Sequence, residues 1–213
     1  TLDATSAWVV TSNSVLTCLT NSGTLSGSYP VTNLSTVRLL GGVISTILTG
    51  TNGLIKTATN TALLSGASTY SGPTIVSNGA LVVGTCFAGK GNFIVTNGAT
   101  LGFTNQFTSA SAAISNLTIG ANTSLEFLNV SNPATALITG SNVLLLGTSI
   151  IKIVGSNYLA GGSSYPLVTY AGTFTGSFTN LQLQMPSGLT GILASNNHQI
   201  VLSVAATLPA TPT

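Results

Sequence analysis

"VSNGALVV", residues 76–83, and "VTNGATLGF", residues 95–103, share one plan: an aliphatic residue, a small polar turn and a leucine-bearing strand. "IGANTSLEF" from Ile119 and "ITGSNVLLL" from Ile138 repeat it, and the four starts lie 19, 24 and 19 residues apart. A unit that short cannot bury its apolar face alone and must stack on its neighbours, which is the signature of a solenoid. The repeat predicts a right-handed parallel β-helix with coils of about 19–24 residues, an antiparallel β-sandwich being the alternative that also alternates and turns often. Asn78-Gly79 and Asn97-Gly98 supply the positive φ that tight corners need. On this alignment Val76, Val95, Ile119 and Ile138 form one inward column, and Leu81, Leu101, Leu125 and Leu144 are buried together.

The rest of the chain agrees with an all-β reading. "SAWVV", "LTIGANTSLEFLNV" and "HQIVLSV" are further short runs of β-branched, aromatic or leucine residues bounded by Gly, Asn and Ser. Glu, Lys, Arg and Gln are scarce, and Thr, Ser, Asn and Gly, which disfavour helix interiors, occupy the polar positions. The 213 residues are 44% hydrophobic and only 3% charged, against about 25% in ordinary globular chains, so Thr, Ser, Asn and Gly must solvate the surface. Residues 1–204 read as a single solenoid domain. The Pro/Thr-rich residues 205–213 read as a tail or linker.

Composition excludes several classes of function. Arg38, Lys56, Lys90 and Lys152 against Asp3 and Glu126 give a net charge of +2, too few and too scattered for the basic stripe that nucleic acid requires. The most apolar stretch, residues 136–155, is interrupted by Thr139, Ser141, Asn142 and Lys152 and does not read as a membrane span. A chain beginning at Thr1, without a charged and then apolar leader, fits an exported protein whose signal has been removed.

Residues 53–84, "GLIKTATNTALLSGASTYSGPTIVSNGALVVG", resemble the autotransporter-associated β-strand repeat. Gly53, Lys56, Leu64, Ser65, Gly66, Thr69, Tyr70, Gly72, Thr74, Val76, Gly79 and Leu81 fit its pattern, while Ser68 stands where Asn is usual and Pro73 follows the Tyr-x-Gly turn. Residues 165–204 are similar to the closing segment that often follows such repeats. The resemblance implies a bacterial, exported, surface-associated β-helical protein and carries no catalytic residue.

Side chains able to do chemistry are few. His198 needs a nucleophile and an orienting carboxylate to act as a base, and it reads as a polar turn residue. Cys86 lies about five coils from it, roughly 24 Å at the strand spacing, which argues against a thiol dyad. Cys18 and Cys86 are separated by about three coils, roughly 14 Å, beyond the reach of a disulfide; buried thiols or an intermolecular bond are expected instead. Neither has a second ligand at metal-binding spacing, and no cofactor or metal is expected. Asp3 and Glu126 are too far apart for a glycosidase pair. Lys152, about one coil beyond Glu126, is placed for a surface ion pair, a Lys-Asn isopeptide bond assisted by Glu126 being the sharper alternative. Asn33, Asn116, Asn122 and Asn129 stand in Asn-x-Ser/Thr sequons.

What remains is a non-enzymatic extracellular structural protein. A solenoid exposes an unpaired strand edge at each end, and this chain has few charges with which to block them. Trp8, Val9 and Val10 at one end and Ile200, Val201 and Leu202 at the other are the strands expected to pair head to tail with further copies. The alternative is an adhesin or an ice- or glycan-binding module using a flat Thr/Asn face.

Overall fold

The computed structural model describes residues 1–17, 19–105 and 110–206. Cys18 and the tail beyond Ala206 lie outside the described residues. Within them the chain winds as a parallel β-helix. Strands from successive coils stack in register, so each apolar position covers the one before it.

Three sides can be followed. The first is a nine-stranded parallel sheet among the described residues, beginning at Ala7–Val10 and Thr24–Gly27, passing through Ala80–Gly84, Thr100–Thr104 and Ser124–Leu128, and ending at Ser149–Val154 and Leu181–Gln184. The second has eight strands, from Thr20–Asn21 through Leu54–Lys56, Thr74–Val76 and Phe93–Val95 to Asn142–Leu145 and Phe174–Thr175. The third opens with Ser14–Leu16, Val31–Asn33 and Leu48–Thr49 and closes with Ala112–Ala113, Ile138–Gly140 and Ser164–Tyr170. Between these groups its backbone stays bonded: Thr69 N–H donates to Leu48 O, Ala88 N–H to Ser68 O and Ala113 N–H to Phe87 O. Stacked coils thereby satisfy the buried main-chain groups that any packed backbone must pair.

Inside, alternate residues of the first side form two columns. One runs Leu25, Ile44, Leu64, Val83, Phe103, Phe127, Ile153. The other includes Ala62, Leu81, Leu101, Leu125 and Ile151. The second side contributes Leu39, Lys56, Val76, Val95, Ile119 and Leu145. Tyr70, Phe87, Phe93 and Phe103 meet successively with ring centroids 5.2, 5.3 and 6.0 Å apart, the first two pairs edge to face.

The repeat alignment therefore holds for three of its four members. Val76, Val95 and Ile119 share a column, but the residue stacked on Ile119 is Leu145, and Ile138 belongs to the third side between Ala112 and Val168. Likewise Ile151, not Leu144, follows Leu125, while Leu144 points outward between Thr118 and Thr175. The cause is coil length. Register offsets grow from 17 residues (Ala7 to Thr24) to 32 (Ile151 to Leu183), wider than the expected 19–24. In the later coils residues 129–137 are inserted between the first and third sides, so "ITGSNVLLL" is a third-side strand followed by a second-side strand.

Lys56 is fully buried at the end of its strand. Its ammonium donates to Ala58 O and, at 3.3 Å, to Asn78 O in the next coil. Asn21, two coils earlier in the same column, does the same with its carboxamide, donating to Gly23 O at 3.1 Å and Gly41 O at 3.4 Å. Each caps its own corner and the corner stacked above it. Burial pulls the Lys56 amine below the ordinary lysine range.

Candidate functional site

The two ends of the solenoid are built differently. At the first coil, Ala7–Val10 pairs with Thr24–Gly27 on one edge and begins the first side. Its register sets Trp8 opposite Leu25, at the head of the described inward column, where the indole is 37% exposed. Val9 points outward at 59% exposure and Val10 is buried. Leu2 bridges to Asn21, and Leu2 and Leu16 are half-buried against the core. Asp3 holds the preceding turn, its carboxylate accepting from Ser6 Oγ at 2.7 Å, Thr5 Oγ1 at 2.9 Å and Thr5 N–H at 3.1 Å. Those donors, Ser6 first, keep it below the usual carboxylate range.

At the other end the last strand is enclosed. Gln199–Val204 runs antiparallel to Ser164–Tyr170 on one side and to Gly191–Asn196 on the other. Ile200, Leu202 and Val204 are buried in the common core, and Val201 is half-buried on the outer surface near Pro166 and Ala194. The expectation that Ile200, Val201 and Leu202 offer an open assembly edge is therefore corrected, because both edges of their strand are already paired. The hairpin turn is Asn197-His198, both in the left-handed region at φ 44° and 59°. Such a two-residue turn is the favoured hairpin connection, so "SNNHQ" between two alternating runs was the available signal. The edges left open at this end are Leu181–Gln184, Phe174–Thr175 and Gly191–Asn196.

The chemistry-bearing residues remain apart. The His198 ring lies edge-on to Tyr170 at 5.6 Å, and its carbonyl accepts the Tyr170 N–H at 2.9 Å. The Cys86 thiol donates to Ser65 O at 3.3 Å, and burial pushes its pKa up; its pairing with Cys18 involves a residue outside those described. Glu126 and Lys152 stand in register on the outer surface of the first side and form an ion pair at 2.8 Å, as their spacing predicted. Asp3 precedes the first strand of that sheet and Glu126 is on the seventh, roughly 29 Å away at the strand spacing. Among the described residues, His, Cys, Asp and Glu side chains do not gather in threes.

Among the described residues, outward polar side chains form short ladders. Asn116 Nδ2 donates to Asn92 Oδ1 at 2.9 Å, Asn142 Nδ2 to Asn116 Oδ1 at 2.8 Å, and Thr32 and Thr49 share a hydrogen bond at 2.7 Å. The outer column of the second side reads Thr20, Arg38, Ile55, Ile75, Ile94, Thr118, Leu144, Thr175. Of the sequon asparagines, Asn33 is buried and Asn116 sits in the ladder, while Asn122 and Asn129 are exposed at left-handed corners. No family model, curated protein or solved structure matches the chain.

Proposed function

We propose that this chain is a structural, non-enzymatic β-solenoid of an exported or surface-associated protein, and that its work is association through the open first coil. The observation that carries this reading is Trp8: a large aromatic side chain heading the core column yet left more than a third exposed. Burying it with Val9 would stabilise a junction at about 25 cal/mol per Å² of apolar surface, and the strand beneath supplies the main-chain ladder that such an edge extends. The resemblance of residues 53–84 to autotransporter-associated repeats supports the extracellular setting.

In a head-to-tail assembly the first side continues, with Ala7–Val10 of one copy beside Leu181–Gln184 of the next. This replaces the sealed 199–204 strand with the strand that ends the same sheet. The contact is heterologous and propagates unless it closes into a ring. Sedimentation velocity across a concentration series, with negative-stain microscopy, tests the proposal. The wild type should form larger species, Val9→Lys should remain monomeric, and Val201→Lys, on the sealed strand, should assemble like the wild type. A monomeric wild type at high concentration, or unimpaired assembly of Val9→Lys, would overturn it. The irregular Thr and Asn ladders favour neither an ice-binding nor a glycan-binding face.

A further inference from the structure

The sequence holds three Asn-Gly pairs, at 52–53, 78–79 and 97–98, and the fold treats their carboxamides differently. Asn52 Nδ2 is tied to Asn33 O of the preceding coil at 3.1 Å, and Asn97 Oδ1 accepts the Ala121 N–H of the next coil at 2.9 Å. The Gly98 N–H is also engaged, donating to Ala121 O at 3.2 Å. Asn78 is exposed, and its Oδ1 accepts the N–H of its own successor, Gly79, at 2.8 Å. Gly79 sits at φ +65° with no Cβ to shield its nitrogen. The main-chain carbonyl of Asn78 accepts at 3.3 Å from the buried Lys56 ammonium.

We infer that Asn78-Gly79 is a site of spontaneous succinimide formation, and that Lys56 steers the product to isoaspartate. A rotation about χ1 brings Asn78 Cγ toward the Gly79 nitrogen, and one about χ2 turns the face of its carbonyl to it. That nitrogen, losing its proton to base, adds to Cγ; the C–N bond to the side-chain amide breaks, and ammonia leaves with a proton returned from solvent. Water then opens the five-membered ring at either carbonyl. Opening at the main-chain carbonyl, the one Lys56 polarises, reroutes the chain through Cβ and Cγ and leaves the old main-chain carbonyl as a free carboxylate. The new anion is therefore formed on the group that already faces the buried ammonium, giving that cation a counter-ion. Opening at the side-chain carbonyl places the carboxylate on the exposed side chain instead. Either product lowers the net charge of the chain by one.

The test follows the folded full chain at mildly alkaline pH and body temperature, mapping the amide-to-acid mass gain by peptide and isoaspartate by enzymatic carboxyl methylation. In the folded protein Asn78 should convert several-fold faster than Asn52 and Asn97, and in urea the three rates should draw together. The isoaspartyl share at residue 78 should be higher folded than unfolded, and should fall in Lys56→Met. Conversion of Asn78 no faster than the other two in the folded chain would overturn the site. An isoaspartyl share that is the same folded and unfolded would overturn the role of Lys56, and that comparison needs no variant to fold.

Discussion

Lys56 shows how a single residue can be dictated by the stacking of corners. Its amine replaces the carboxamide of Asn21, two coils earlier, and caps the equivalent pair of carbonyls. A buried amine that releases its proton below the ordinary lysine value makes stability depend on pH. The unfolded chain keeps that proton to about pH 10.4, so between the lowered folded value and that point the unfolded state binds more protons and stability rises with pH. Above about pH 10 the buried Tyr70 phenol, raised by desolvation, acts in the opposite direction. Denaturant titrations across the alkaline range should show the rise in the wild type and its loss in Lys56→Met; an unchanged profile in the variant would remove Lys56 as the cause. Core truncations read the inward face directly. Leu81→Ala, Leu101→Ala and Leu125→Ala should each cost about 2–5 kcal/mol, and Leu144→Ala, on the outer surface, should sit within about 0.5 kcal/mol of wild type. Thermal and chemical melts compare the four.

At the level of elements, the Asn197-His198 hairpin converts a parallel stack into an antiparallel lid. Asn197→Val places a β-branched side chain at positive φ, where it is strained, and should loosen the lid while leaving the earlier coils intact. Hydrogen exchange should then quicken in Gly191–Val204 before Ala80–Leu128; uniform acceleration would mean that the lid and coils open as one unit. The Glu126–Lys152 pair is partly exposed, and Glu126→Gln should shift stability by at most about 1 kcal/mol. The coils around residues 76–128 were legible because the corners Asn78-Gly79 and Asn97-Gly98 and the inward aliphatics Val76, Val95 and Ile119 recur there at spacings of 19 and 24 residues. The later coils were not, since inserted residues such as 129–137 change which side a strand–turn–strand motif occupies, and a local motif carries no record of its side. The enclosed last strand was misread for a related reason. "HQIVLSV" looks like any other strand until its pairing partner "GILASN" is found across the Asn-His turn. Lys56 fits the repeat pattern, but its burial goes with a hydrogen bond to Asn78 one coil away.

At the scale of the whole molecule the described coils are asymmetric: the third side finishes in an antiparallel hairpin, and the first side is headed by an exposed indole. Low charge leaves little repulsion to keep copies apart, and a junction built on apolar contact and backbone pairing should persist at high salt. Trp8 is the sole tryptophan of the chain, so its fluorescence reports on the open coil without any label. The most direct measurement is its emission maximum and quenching by acrylamide over a wide range of protein concentration, at low and high salt. Association through the first coil predicts a blue shift and protection from quenching as concentration rises, undiminished by salt and absent in Val9→Lys. An emission maximum and quenching constant that stay the same from dilute solution to the highest concentration would contradict it.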